Sequence, residues 1–114
     1  MDGTTLYHEE VGLSKLRDII IYSYNIMNKF VAEFLGTMFF LYVILATGSA
    51  LPIGLALAVA IMTVGRYSGG NFNPAVSVMM VAAGKLPSED LLPYILAQIA
   101  GGLFALELYK RVKV

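Results

Sequence analysis

The residue best placed to act on another molecule is Asn73. It lies in Ser68-Gly69-Gly70-Asn71-Phe72-Asn73-Pro74-Ala75-Val76-Ser77, with apolar sequence on both sides. A glycine-rich break followed by Asn-Pro is a helix start, with Asn as N-cap and Pro at the first helical position. A capping Asn accepts a backbone N–H through its carbonyl oxygen, which leaves its NH₂ free to donate into a cavity. The start of the helix adds a partial positive charge. Together these groups orient a neutral hydrogen-bonding solute and repel cations. In a soluble protein Asn-Pro-Ala would be an ordinary loop-to-helix start. Between membrane-length apolar segments, the freed backbone groups of such a start need protein or a water-filled cavity to satisfy them. The motif therefore points to a pore.

Other chemistry is sparse. No nucleophile–base pair, carboxylate pair or metal-ligating cluster appears, so an enzyme is not expected, and neither is a cofactor or a metal. Cysteine is absent, which removes disulfides and thiolate sites. The one histidine, His8, stands in a polar leader and offers no metal site. Glu33 is the only carboxylate near the first long apolar segment. Such residues are costly in a bilayer and usually face the bundle interior. The alternative is a headgroup-level pair with Lys29, one turn earlier. Arg66 either lines a pore mouth or snorkels to the interface.

The elements that must position Asn73 belong to a membrane chain. Of 114 residues 58% are hydrophobic and 14% charged, against roughly 25% charged in soluble domains. Eight basic and eight acidic residues cancel, so no nucleic-acid partner is expected. The polar, acidic start lacks the basic region of a cleaved signal peptide. Leu13, Leu16, Ile20, Tyr24 and Met27 recur at helical spacing. They form an amphipathic helix on the membrane or on a partner, or a lead-in continuous with the first span. Residues 1–28 thus read as a leader and interfacial helix, and 29–114 as a membrane domain.

From Phe34 to Gly65 there are 32 residues without a charge. One helix of that length would measure roughly 48 Å against a hydrocarbon core of about 30 Å, so it must be divided. Thr47-Gly48-Ser49 and Pro52 supply the break. Span one reads as Phe30 to Thr47 and span two as Leu51 to Gly65. Gly65 to Gly70 is a loop, and Pro74 to Ala83 a half-helix too short to cross. Gly84 and Pro87 end it. Ser88 can cap the third span, Leu91 to Tyr109. The fold class is all-α: three transmembrane helices and one re-entrant half-helix, preceded by an amphipathic helix. Ala97, Gly101 and Ala105 form a small-residue face suited to close helix packing, within one protomer or between two. Met62, Met79 and Met80 read as adaptable filler.

These residues carry a resemblance. Ala32-Glu33-Phe34-Leu35-Gly36-Thr37, Gly48-Ser49-Ala50, Ser68-Gly69-Gly70 leading to Asn73-Pro74-Ala75-Val76-Ser77, and Ala97-Gln98 with Gly101-Gly102 resemble, in order and spacing, the first half of an aquaporin or aquaglyceroporin. The similarity covers about Lys29 to Lys110. It implies a channel built from two inverted halves whose Asn-Pro-Ala turns meet at the midplane. It implies that Asn73 donates to the permeating solute while Pro74 and Ala75 form the turn. Gly69 and Gly70 would shape a carbonyl-lined loop that Glu33 bonds and Gln98 supports. Ile53 would hold the first-half filter position, with Val76 in the place that the filter arginine takes after the second turn. The family excludes protons and cations through half-helix dipoles and that arginine.

The 114 residues depart from this pattern: they hold one Asn-Pro-Ala turn and no internal repeat. Arg66 and Asn71 replace histidines common in this loop, and Ile53 replaces an aromatic or similar residue. One half cannot enclose the pore, whereas two antiparallel copies could. With three spans, Lys15, Arg17, Lys29, Arg66 and Lys85 fall on one face and Lys110, Arg111 and Lys113 on the other. That is a weak bias under the positive-inside rule. The expected partners are a lipid bilayer, a second copy or complementary half-channel chain, and water or a small neutral solute such as glycerol. The competing reading is a non-transporting structural protein of a virion or organelle membrane. A truncated gene or one half of a split pair is a third.

Overall fold

The computed structural model describes residues 3–112. Helix α1 runs unbroken over Gly3–Thr47. Its 45 residues reach about 67 Å at the α-helical rise, which matches the 69 Å long axis of the molecule. The amphipathic segment and the first span are therefore one helix, and span one has no separate start at Phe30. The reason is local. Nothing between Ile19 and Lys29 breaks a helix, and the isolated Gly12 only weakens one. Leu13, Leu16, Ile20 and Tyr24 are all exposed on this extension. The Met27 side chain, placed with them by spacing, lies outside the described residues.

The break falls where Gly48 comes, with φ +57°. Its N–H donates to Ile44 O, and the Thr47 hydroxyl donates back to Val43 O, closing α1. Helix α2, Ala50–Thr63, starts two residues later, with Pro52 in its first turn, where a missing N–H costs nothing. The expected loop at 65–70 contains one further helical turn, α3, Gly65–Ser68, ended by Gly69 at φ +91°. Helix α4, Pro74–Ala82, follows Asn73. Gly84, at φ +73°, turns the chain. A 3-10 turn, Ser88–Asp90, leads into α5, Leu91–Val112. Ser88 is inside that turn and caps nothing; Pro87 holds the cap position.

Helix α5 packs along α1, while α2 and α3 cover another side of α1. The buried line on α1 is Ala32, Glu33, Gly36 and Thr37; on α5 it is Tyr94, Gln98, Gly101 and Ala105. A Cβ on Gly101 would lie 2.6 Å from Phe34 O, so the two backbones touch there. Ala97 is only half-buried, off this line, because the tightest contact follows 94–98–101–105 rather than a strict four-residue step. Phe30–Tyr94, Phe34–Phe104 and Tyr42–Tyr109 pair edge-to-face at successive levels of the seam. Helices α1 and α5 are long and apolar enough to cross a membrane; α2 is a shorter apolar helix. No strand occurs among the described residues.

Candidate functional site

The site is built on a carboxylate. Glu33, fully buried on α1, accepts the backbone N–H of Asn71 on Oε1 at 3.0 Å and that of Phe72 on Oε2 at 2.8 Å. The loop before α4 exposes these N–H groups because Phe72 has left-handed backbone, φ +54°. A bulky residue rarely holds that conformation, which costs roughly 1–2 kcal/mol and persists only where neighbours over-determine it. Here the Glu33 carboxylate fixes the N–H, and the buried ring sits against Gly36, where a Cβ would overlap it. Lys29 does not pair with Glu33. Its Nζ donates to Asp90 Oδ2 at 2.6 Å, tying α1 to the turn that begins α5.

A second polar centre holds α4. Ser77 Oγ accepts from Asn71 Nδ2 at 3.0 Å and from Gln98 Nε2 at 2.8 Å, and all three residues are buried. Loop, α4 and α5 therefore meet on one hydroxyl. Tyr94, one turn before Gln98, donates its hydroxyl to Ser68 O at 2.7 Å, and Ser68 Oγ accepts from Gly70 N at 3.3 Å. Gly69 and Gly70 both have positive φ, which lets the loop double back onto α3.

At the end of this scaffold Asn73 caps α4. Its Oδ1 accepts from Ala75 N at 2.8 Å, and Pro74 takes the first helical position. Its Nδ2 makes no hydrogen bond among the described residues. Asn73, Pro74 and Phe72 close the inner end of an open cleft of about 530 Å³. Its walls are Phe40, Leu41 and Ile44 of α1 with Ile99, Leu103 and Leu106 of α5. Thr37 and Gln98 also line it. Both are nearly inaccessible, and Thr37 Oγ1 and Gln98 Oε1 have no hydrogen-bond partner among the described residues.

The other candidates lie elsewhere. Ile53 is half-buried in the first turn of α2 and does not line this cleft. Val76 is half-buried on α4. Arg66 is exposed and stacks over the Tyr67 ring, whose hydroxyl accepts from it at 3.0 Å. No group of three metal-ligating side chains occurs among the described residues. Reading from sequence passed over Ser77, Tyr94, Thr37 and Phe72. Ser77 carried a usable signal, as the one hydroxyl in an otherwise apolar nine-residue helix.

Comparison with known proteins assigns the chain to a family. The family model described as Major intrinsic protein matches residues 20–114. The chain is 40% identical over 94 residues to Aquaporin Z of Brucella melitensis, covering 69% of this chain and 41% of that protein. It is 43% identical over 89 residues to Glycerol uptake facilitator protein-like 6 of Lactiplantibacillus plantarum, with the same coverage of each. The chain thus spans about two fifths of the length of the curated relatives it matches. No solved structure matches it significantly. With a family match over most of its length and the capped Asn-Pro-Ala turn held on Glu33, the chain belongs to the major intrinsic proteins, a family of integral membrane channels and not of enzymes.

Proposed function

We propose that the chain is one half of a passive pore for water or small neutral solutes such as glycerol. In this reading α1, α2 and α5 cross the bilayer and α4 is a re-entrant half-helix. A second, antiparallel copy completes the pore. The single observation that carries the reading is Asn73: it lines an open cleft, its Oδ1 is committed to Ala75 N, and its amide nitrogen is unbonded among the described residues. A donor held in this way can replace one hydrogen bond of a passing hydroxyl or water while offering nothing to a cation. Gly69, Gly70, Pro74 and Ala75 shape the turn, Glu33 and Gln98 hold it, and Ile53 and Val76 form an apolar constriction near the mouths. Residues 1–28 stand outside the pore-forming domain, 29–114.

Stopped-flow swelling of liposomes containing the purified chain tests the proposal. Water or glycerol flux above that of empty liposomes is expected. Background flux from protein with native helix content removes the channel reading and leaves a bilayer-packing role.

A further inference from the structure

We infer that the groove between α1 and α2 is a binding site for one anionic phospholipid, with its phosphate on Arg66 and an acyl chain laid between the two helices. The site rests on the part of the proposed reading that puts α1 and α2 in the bilayer, and not on conduction.

Helix α1 has α5 on one side and α2 with α3 on another. The second contact is loose. Two open hollows, of about 270 and 210 Å³, follow one another along it and share Leu35 and Val64. The first is lined at its outer end by Tyr24, Asn28 and Tyr67. The second reaches inward to Phe39, Val59 and Thr63. Ala32, Gly36 and Ala60 line them with little or no side chain, which leaves space between two packed helices.

The groove has one polar end. Asn28 stands beside Lys29, whose pair with Asp90 marks a charged level, and the sequence from Phe34 to Gly65 carries no charge. From Asn28 to Phe39 is about 16 Å along α1, against about 15 Å for half of a hydrocarbon core. The groove is therefore one leaflet long.

Its outer end offers what a headgroup needs. The Arg66 guanidinium lies 4.9 Å from the centroid of the Tyr67 ring and gives one bond to the Tyr67 hydroxyl. It has no carboxylate partner among the described residues, so most of its five N–H donors are open to a ligand. Guanidinium binds phosphate through paired N–H bonds. Asn28 is half-buried, and its amide makes no hydrogen bond among the described residues. Just below the phosphate, that amide would meet an ester carbonyl. Tyr24 and Tyr67 are side chains of the kind enriched at this level of a bilayer. No acidic side chain lines either hollow, so nothing opposes a negative headgroup.

The chain contains no tryptophan, so one introduced tryptophan reports its own surroundings. Phe39→Trp puts the reporter at the inner end of the groove, and Leu96→Trp puts it on an exposed face of α5. Each variant is reconstituted in phosphatidylcholine vesicles with rising fractions of brominated phosphatidylglycerol or, separately, of brominated phosphatidylcholine. At the groove, half-quenching is expected at about fivefold lower fraction of the anionic lipid. At Leu96→Trp the two lipids should quench equally. Adding Arg66→Gln should equalise them at the groove, and Arg66→Lys should keep part of the preference. Equal quenching at the groove with Arg66 in place overturns the site and leaves ordinary lipid contact. An equal preference at Leu96→Trp overturns it too, as general enrichment of anionic lipid around the protein. Quenching by neither lipid also overturns it, and means that protein such as a second copy covers the groove. So does a preference that survives Arg66→Gln. Flux through the same vesicles separates this site from the channel. The lipid preference with background flux keeps the site and removes the channel. Flux without the preference keeps the channel and removes the site.

Discussion

Gly36 is the floor on which the Phe72 ring rests: a Cβ added to Gly36 would overlap that ring. Phe72 is 2% exposed and held at φ +54°, so it cannot step aside without releasing the loop before Asn73. Gly36→Ala should destabilise the protein by about 1–3 kcal/mol through overpacking, despite the better helix propensity of Ala. Gly54→Ala is the matched control. Nothing lies within 4 Å of the Cβ it would add, so about 0.5–1 kcal/mol of stabilisation is expected. Thermal unfolding in detergent compares the two, and equal shifts would contradict the floor.

Glu33 carries the loop through two backbone N–H groups. Glu33→Gln keeps the shape but turns one acceptor into a donor that faces a donor. About 2–3 kcal/mol of destabilisation is expected, from one lost charge-assisted bond and one unpaired buried amide. Hydrogen exchange at Asn71 and Phe72 should accelerate more than exchange along α5. Uniform acceleration would mean that Glu33 supports the whole bundle and not this loop.

Ser77→Ala removes the shared acceptor of Asn71 and Gln98. Two buried amides then lose a partner, at about 1–3 kcal/mol for each. The double variant Ser77→Ala with Gln98→Leu should recover part of that loss, because the second donor is gone. A double-mutant cycle on unfolding free energy measures the coupling, and strict additivity would show that the Ser77–Gln98 bond is energetically empty.

The Lys29–Asp90 pair lies 2.6 Å apart, with side chains 27% and 12% exposed. That exposure is between the surface and buried cases, so Lys29→Ala should cost about 2 kcal/mol. The exchange Lys29→Asp with Asp90→Lys should restore more stability than either single change. No restoration would place the value of Lys29 in its ammonium over Phe30, whose ring centroid lies 5.7 Å from Nζ.

Asn73 performs two tasks that one substitution separates. Asn73→Asp preserves the cap on Ala75 N, since Asp and Asn cap about equally, and deletes the NH₂ donor. Under the proposed pore, flux should fall while helix content and stability remain close to those of the parent. Asn73→Leu should lose both the flux and about 1 kcal/mol of cap energy. Parent-like flux from the Asp variant would remove the amide from the transport path.

What could be read from sequence follows the range of the forces involved. The start of α4 was legible because Asn-Pro fixes a cap and a first turn within three residues. The Gly48 break was legible because left-handed backbone and an over-long apolar run coincide. The Glu33 carboxylate announced itself by its cost, although its partners, about 38 residues away, came only from resemblance. The continuity of α1 was one of two open readings, since an interfacial helix and a span have the same local propensity. The turn at Gly65–Ser68 was hidden by the glycines around it. The union of Lys29 with Asp90 spans 61 residues and follows no period, so nothing in the sequence pointed to it.

The length of α1 has a mechanical consequence. Lys29, Glu33 and Thr37 follow one another at intervals of one turn on the same uninterrupted rod that extends outward to Gly3. A rod has no joint to absorb a push. A slide of its exposed end by a single residue's rise would shift Glu33 by about 1.5 Å, roughly half a hydrogen-bond length. A twist would swing the carboxylate away from Asn71 and Phe72. Any force on residues 3–28 thus has a direct shaft to the backbone turn that carries Asn73.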